Sequence, residues 1–126
     1  MDSINLQFFP AGIFQDKTFN NCLIGGSYVN QGAASTGQLI PAVTGKIIRI
    51  VSLVVNTDAA ASNFCRLVSN GNTIGSFQAP GNALPSLVFP FNPAGWADSE
   101  SGFNITVTTS AGSAVQCFAR FISFVL

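Results

Sequence analysis

The side chains that could do chemistry are few in this 126-residue chain, and there is no histidine among them. That removes the commonest general base, the commonest metal ligand and every Ser-His triad. Five carboxylates remain: Asp2, Asp16, Asp58, Asp98 and Glu100. Only Asp98 and Glu100 are close in sequence, where a Ca²⁺ site or an acid–base pair is one reading and a solvated turn after Trp96 is the simpler one. A glycosidase pair needs one carboxyl with a raised pKa in a cleft, and nothing in the pattern argues for it. Gly71, Gly75 and Gly81 follow turn logic, with no Lys-Ser/Thr after them and no helix to open, so no phosphate loop is expected. The expectation is therefore of no catalytic residue, no metal site and no cofactor.

Three further residue types invite a functional reading. Cys22, Cys65 and Cys117 are odd in number and irregular in spacing, which fits reduced thiols acting as small hydrophobes. A Cys65–Cys117 disulfide stays open, because sequence cannot decide pairing. Trp96 reads either as a sugar-stacking platform or as a corner residue plugging the end of a sandwich. Arg49, Arg66 and Arg120 sit inside apolar strands. Their stems either lie along apolar surface with the heads in solvent, or the charges pair across subunits or with an acidic partner. Asn104-Ile105-Thr106 fits a glycosylation sequon that is incidental without a secretory leader.

The elements that must position these residues read as strands. Val, Ile, Phe and Thr runs separated by Gly, Asn and Pro dominate, and no apolar pattern recurs at helical spacing. Strands are expected over residues 37–42, 46–56, 63–68, 73–78, 84–91, 103–109 and 114–126. Ser69-Asn70-Gly71-Asn72 carries the Asn-Gly signature of a tight hairpin. Residues 110–113 form the last turn. Residues 30–37 look like a polar, Gly-containing linker, so the division is an N-terminal arm and linker over 1–36 and a β-sandwich over 37–126.

Composition sets the context. The chain is 48% hydrophobic and 8% charged, where about 25% charged is usual, and its mean hydropathy is +0.43. A spanning helix needs about 20 apolar residues, and the greasiest stretch, residues 47–55, contains Arg49 and Ser52. Net charge is zero with the charges scattered singly. There is thus no basic footprint for nucleic acid, and little repulsion to keep copies apart. The start Met1-Asp2-Ser3-Ile4-Asn5 has no basic flank before an apolar run, so synthesis in a cytoplasm is expected.

The last strand points most directly to function. Val115, Cys117, Ala119, Phe121 and Val125 take one face, while Phe118, Ile122, Phe124 and Leu126 take the other. An antiparallel sheet with one wet face alternates apolar with polar, and this strand does not. Residues 46–55 carry the same two-faced pattern, with Ile47, Val51, Leu53 and Val55 opposite Ile48, Ile50 and Val54. The expectation is an oligomer interface formed by Phe118, Arg120, Ile122, Phe124, Leu126, Ile48 and Ile50. Burying Phe118, Ile122, Phe124 and Leu126 contributes about 6–12 kcal/mol per protomer before association costs.

Three stretches together carry a family likeness: Thr44-Gly45-Lys46-Ile47-Ile48-Arg49-Ile50-Val51-Ser52-Leu53, Leu87-Val88-Phe89-Pro90-Phe91-Asn92-Pro93-Ala94-Gly95-Trp96, and Gly102-Phe103-Asn104-Ile105-Thr106-Val107. Their order and spacing resemble the small jelly-roll proteins with which tailed bacteriophages decorate or cement the head. The likeness covers residues 44–126, and its most specific piece is Pro90 to Trp96. It implies an all-β, antiparallel jelly-roll-like sandwich that binds the major capsid protein and itself, as a homotrimer ahead of a homodimer. It implies a virion location on the capsid surface after synthesis in the host cytoplasm, with no nucleic acid or membrane partner. The N-terminal residues Ile4, Leu6, Phe8, Phe9, Ile13 and Phe14 are then expected to form a capsid-binding arm. A weaker similarity, in patterning only, is to trimeric TNF/C1q-type jelly rolls. The alternative function is a receptor- or glycan-binding sandwich of a phage fibre.

Overall fold

The computed structural model describes residues 7–8, 13–16, 20–57, 61–81 and 86–125, with side chains from Ile24 onward. Among these residues the chain is all strand and turn. A short antiparallel meander comes first, from β1 (Gln7–Phe8), β2 (Ile13–Asp16) and β3 (Asn20–Leu23). Then follow β4 (Gly25–Gln31), β5 (Thr36–Ile40), β6 (Ile47–Thr57), β7 (Asn63–Ser69), β8 (Asn72–Ala79), β9 (Leu87–Phe89), β10 (Ala97–Asp98), β11 (Ile105–Thr109) and β12 (Val115–Phe124).

These later strands make two antiparallel sheets. One runs β10-β6-β12-β4, with β9 also pairing β6, and the other runs β5-β11-β7-β8. Because β12 occupies one edge of β6 along its whole length, β9 and β10 share the opposite edge end to end. Strands drawn in turn to two facing sheets in this order make a jelly roll, the expected fold. The hairpin at Asn70-Gly71 forms as its residues require: φ is 50° and 76°, and Ser69 pairs with Asn72.

Inward side chains from both sheets build one core, including Leu39, Ile48, Ile50, Leu53, Val55, Cys65, Leu67, Val107, Val115 and Cys117. Burying each large aliphatic residue here stabilises the fold by about 1.5–3 kcal/mol. A buried amide fastens one end of the sandwich. Asn63 is 1% exposed, donates from Nδ2 to the Ser110 and Ser113 carbonyls at 2.9 and 2.8 Å, and accepts the Ser110 N–H at 2.9 Å.

Several sequence expectations are corrected. Residues 30–37 are not a linker: β4 continues to Gln31, β5 starts at Thr36, and β4 is the edge strand beside β12. It escapes notice because Gly25, at its inner face, lies under the Phe121 ring, which fills the space of a side chain. Phe103 precedes its strand, with its N–H on the Glu100 carbonyl and its ring exposed. Most consequential is a β-bulge in β6. Arg120 pairs with Ser52 but Phe121 pairs with Ile50, which leaves Val51 unmatched. The extra residue flips the alternation. Ile48, Ile50, Leu53 and Val55 all point inward, while Ile47, Arg49, Val51 and Val54 point outward.

Candidate functional site

The outer face of the β9/β10-β6-β12-β4 sheet is ordered in rows that run across the strands. Tyr28 pairs with Phe118, Phe118 with Val54, and Val54 with Val88, so these four side chains stand side by side. Tyr28 is 52% exposed, Phe118 47% and Val88 55%, and Val54 is half-buried. The Tyr28 and Phe118 rings lie 4.6 Å apart, tilted 37°. The row is therefore a tall aromatic ridge on one half and a low valine step on the other.

Polar rows flank it, one of them neutral and the other carrying Arg120. On one side Gln116 Nε2 donates to Asn30 Oδ1 at 3.4 Å, and Ser86 Oγ donates to Asn56 Oδ1 at 2.9 Å. On the other side Arg120 lies between Gly26 and Ser52, with its guanidinium stem over the bare Gly26 backbone. Beyond Arg120 the same face is buried within the chain. Val51 and Ile122 are fully covered and Phe124 is 5% exposed, packed with Ile24 and Ile47.

The expected interface residues are thus separated by the fold. Phe118 and Arg120 stand exposed on the outer face. Ile48 and Ile50 do not: both are 0% exposed in the sandwich core, because the bulge inverts the facing that simple alternation assigns. Ile122 and Phe124 do face outward, yet the chain buries them itself against Val51, Ile24 and Ile47. Leu126 lies outside the described residues, as do Ile4, Leu6 and Phe9 of the expected arm. Phe8 falls on β1 and Ile13 and Phe14 on β2. Tyr28, Val54 and Val88 were not singled out by sequence. Their signal is a long-range strand register, which residue pattern alone does not contain.

No family model matches the chain, and no curated protein matches it in sequence. Several solved structures resemble it in outline, among them two from different sources. One is a chain of the cyanophage Pam1 capsid asymmetric unit, at 12% identity and a TM-score of 0.47, covering 97% of this chain and 99% of that one. The other comes from the disulfide-linked pili of Bacillus endospore appendages, at 14% identity and a TM-score of 0.46, covering 97% and 98%. The chain is similar to both and assigned to neither. At these scores its function has to be read from its own geometry.

Among the described residues, Arg49, Asp98, Glu100 and Trp96 have structural partners. Arg49 pairs with Asp98 through two hydrogen bonds, Nε to Oδ1 at 2.8 Å and Nη2 to Oδ2 at 2.9 Å, and stacks 4.7 Å over the Phe124 ring. Glu100 instead accepts from Asn72 Nδ2 at 3.3 Å, so the two neighbouring carboxylates serve separate partners. The 90–96 loop closes over the β6 bulge. The Asn92 N–H donates to the Val51 carbonyl and the Trp96 N–H to the Ile50 carbonyl, both at 2.8 Å. The Trp96 indole donates to the Pro90 carbonyl at 2.8 Å and its ring meets Phe89 edge-on at 5.3 Å. Trp96 is 44% exposed and borders a pocket of about 60 Å³ lined also by Ile50, Leu53, Leu67, Phe77 and Phe89.

Cys65 and Cys117 are free, buried thiols on facing sheets. Burial pushes Cys65 up to about 11 and Cys117 up to about 12, with the neighbouring Cys65 adding to the second shift. Thiols held protonated in this way are poor nucleophiles and poor metal ligands.

Proposed function

We propose that the chain is a structural virion protein that works by contact: a decoration or cement protein seated on the outer surface of a phage head. The observation that carries the contact role is the Tyr28–Phe118–Val54–Val88 row, with Tyr28, Phe118 and Val88 exposed, rimmed by amides, hydroxyls and the single charge of Arg120 on a hydrogen-bonded sheet. Aromatic residues at the centre of a patch, with its one charge, Arg120, at the rim, make up the usual anatomy of a protein interface. The phage head as partner follows from the resemblance of residues 44–53, 87–96 and 102–107 to head-decorating jelly rolls.

The mechanism is mass action. A protein that binds the assembled shell and not its separated subunits stabilises the shell by its binding free energy. In this reading Ile4, Leu6, Phe8, Phe9, Ile13 and Phe14 grip the major capsid protein, and the sandwich presents its outer face to a further protein surface. The chain has no catalytic or cofactor-dependent step to perform.

The test is re-addition of purified chain to heads from a phage that lacks its gene. Saturable co-sedimentation, with heads that resist heat or chelator better than bare ones, is the expected result. Heads that neither bind the chain nor gain resistance at micromolar concentrations refute the reading.

A further inference from the structure

We infer that the outer sheet face binds a second copy of the chain, face to face, about a two-fold axis parallel to the strands and between β12 and β6. Such an axis keeps each row at its own height and reverses the order of the strands. Tyr28 then faces the partner's Val88, and Phe118 faces the partner's Val54. The aromatic ridge of each copy drops onto the valine step of the other, which is the self-complementarity an isologous interface requires. A two-fold along the row would set Phe118 on Phe118, ridge against ridge, and leave the valines apart.

The flanking rows fit the same operation. Gln116 comes opposite the partner's Asn56, and each amide offers donors and an acceptor. Arg120, the one charge in the three rows, comes opposite the partner's Ser52 and not its own copy. No like charges oppose each other, and the hydroxyl accepts from the guanidinium. Three rows on four strands cover roughly 20 by 19 Å, on the order of 400 Å² per copy. That places the contact among small, reversible interfaces, so dimerisation follows concentration. Aligned packing of the two sheets is the ordinary geometry for such faces. The inference shares with the proposed function only the outer face as a contact surface, and it is independent of the phage head.

Sedimentation velocity of the full chain over a dilution series tests it. The wild type is expected to double in mass with rising concentration, and Phe118→Asp is expected to remain monomeric there with an unchanged circular dichroism spectrum. Val88→Asp, at the exposed end of the row, should give the same loss if Phe118→Asp fails to fold. For the register, Phe118→Cys and Val54→Cys chains, each also carrying Cys22→Ser, are oxidised separately and as a mixture. A cross-link in the mixture alone supports the axis, whereas one in Phe118→Cys by itself overturns it. A wild type that is monomeric throughout, or trimeric, overturns the inference. A monomer that still binds heads does so while leaving the proposed function standing. A dimer that ignores heads does the reverse.

Discussion

Gly95→Ala tests whether the 90–96 loop and β6 act as one clamp around the bulge. Gly95 holds φ at +87°, and a Cβ there would lie 2.5 and 2.6 Å from Arg49 Cγ and Cδ. The left-handed backbone costs alanine about 1–2 kcal/mol. Arg49 must also move, losing its two-point pair with Asp98 and its stacking on Phe124. Asp98 is 42% exposed, so water screens the ion pair, which contributes about 0.5–1 kcal/mol. The cation–π contact adds about 0.5–1 kcal/mol. The sum is about 2–4 kcal/mol, which lowers a urea midpoint by about 1–2 M at a slope near 2 kcal/mol per M. In an Arg49→Ala background only the backbone part should remain, so the double-mutant cycle should show a coupling of about 1–2 kcal/mol. An equal cost of Gly95→Ala in both backgrounds refutes the reasoning, because it removes Arg49 from the explanation.

Other perturbations follow from the same contacts. Gly75 has ordinary φ and room for a methyl at 3.6 Å from Leu67 Cδ1, so Gly75→Ala should raise stability by about 0.4–1 kcal/mol in urea titration. A loss there would mean that β8 cannot take the added atom. Asn63→Ala strips partners from the Ser110 and Ser113 carbonyls and should cost about 2–4 kcal/mol, with faster amide exchange at the 110–113 turn. Normal exchange at that turn would show that Asn63 does not hold it. The thiol pKa values of Cys65 and Cys117 are raised in the folded chain, so their stabilising effect is fully present below about 9. It fades as pH climbs toward about 11 and 12. The wild type should lose more stability between pH 8 and 10.5 than Cys65→Ala/Cys117→Ala, and equal losses would dismiss the thiols as the cause.

The jelly roll was legible because its strands are rich in Val, Ile, Phe and Thr and because Asn70-Gly71 admits almost nothing but a tight hairpin. The facing of β12 was legible too, since it alternates without interruption. What escaped was non-local. The bulge at Val51 leaves no mark in residue type, yet it moves Ile48 and Ile50 from a supposed interface into the core. β4 was hidden because its inner positions include Gly25 and Ser27, whose space is filled by Phe121 and whose hydroxyl reaches the Leu39 carbonyl. The contact row shares that difficulty, as Tyr28, Phe118, Val54 and Val88 are far apart in sequence and meet only through strand register. Ile122 and Phe124 were correctly faced but not open, since Val51, Ile24 and Ile47 cover them.

The most direct test of the contact role is oxidative footprinting of Tyr28 and Phe118 in intact virions and in dilute free chain. Strong protection of both in the virion, with exposed Phe103 and Phe64 labelled in the free chain as controls, is the predicted result. Equal labelling of Tyr28 and Phe118 in the two states, or virions without the chain, would contradict it.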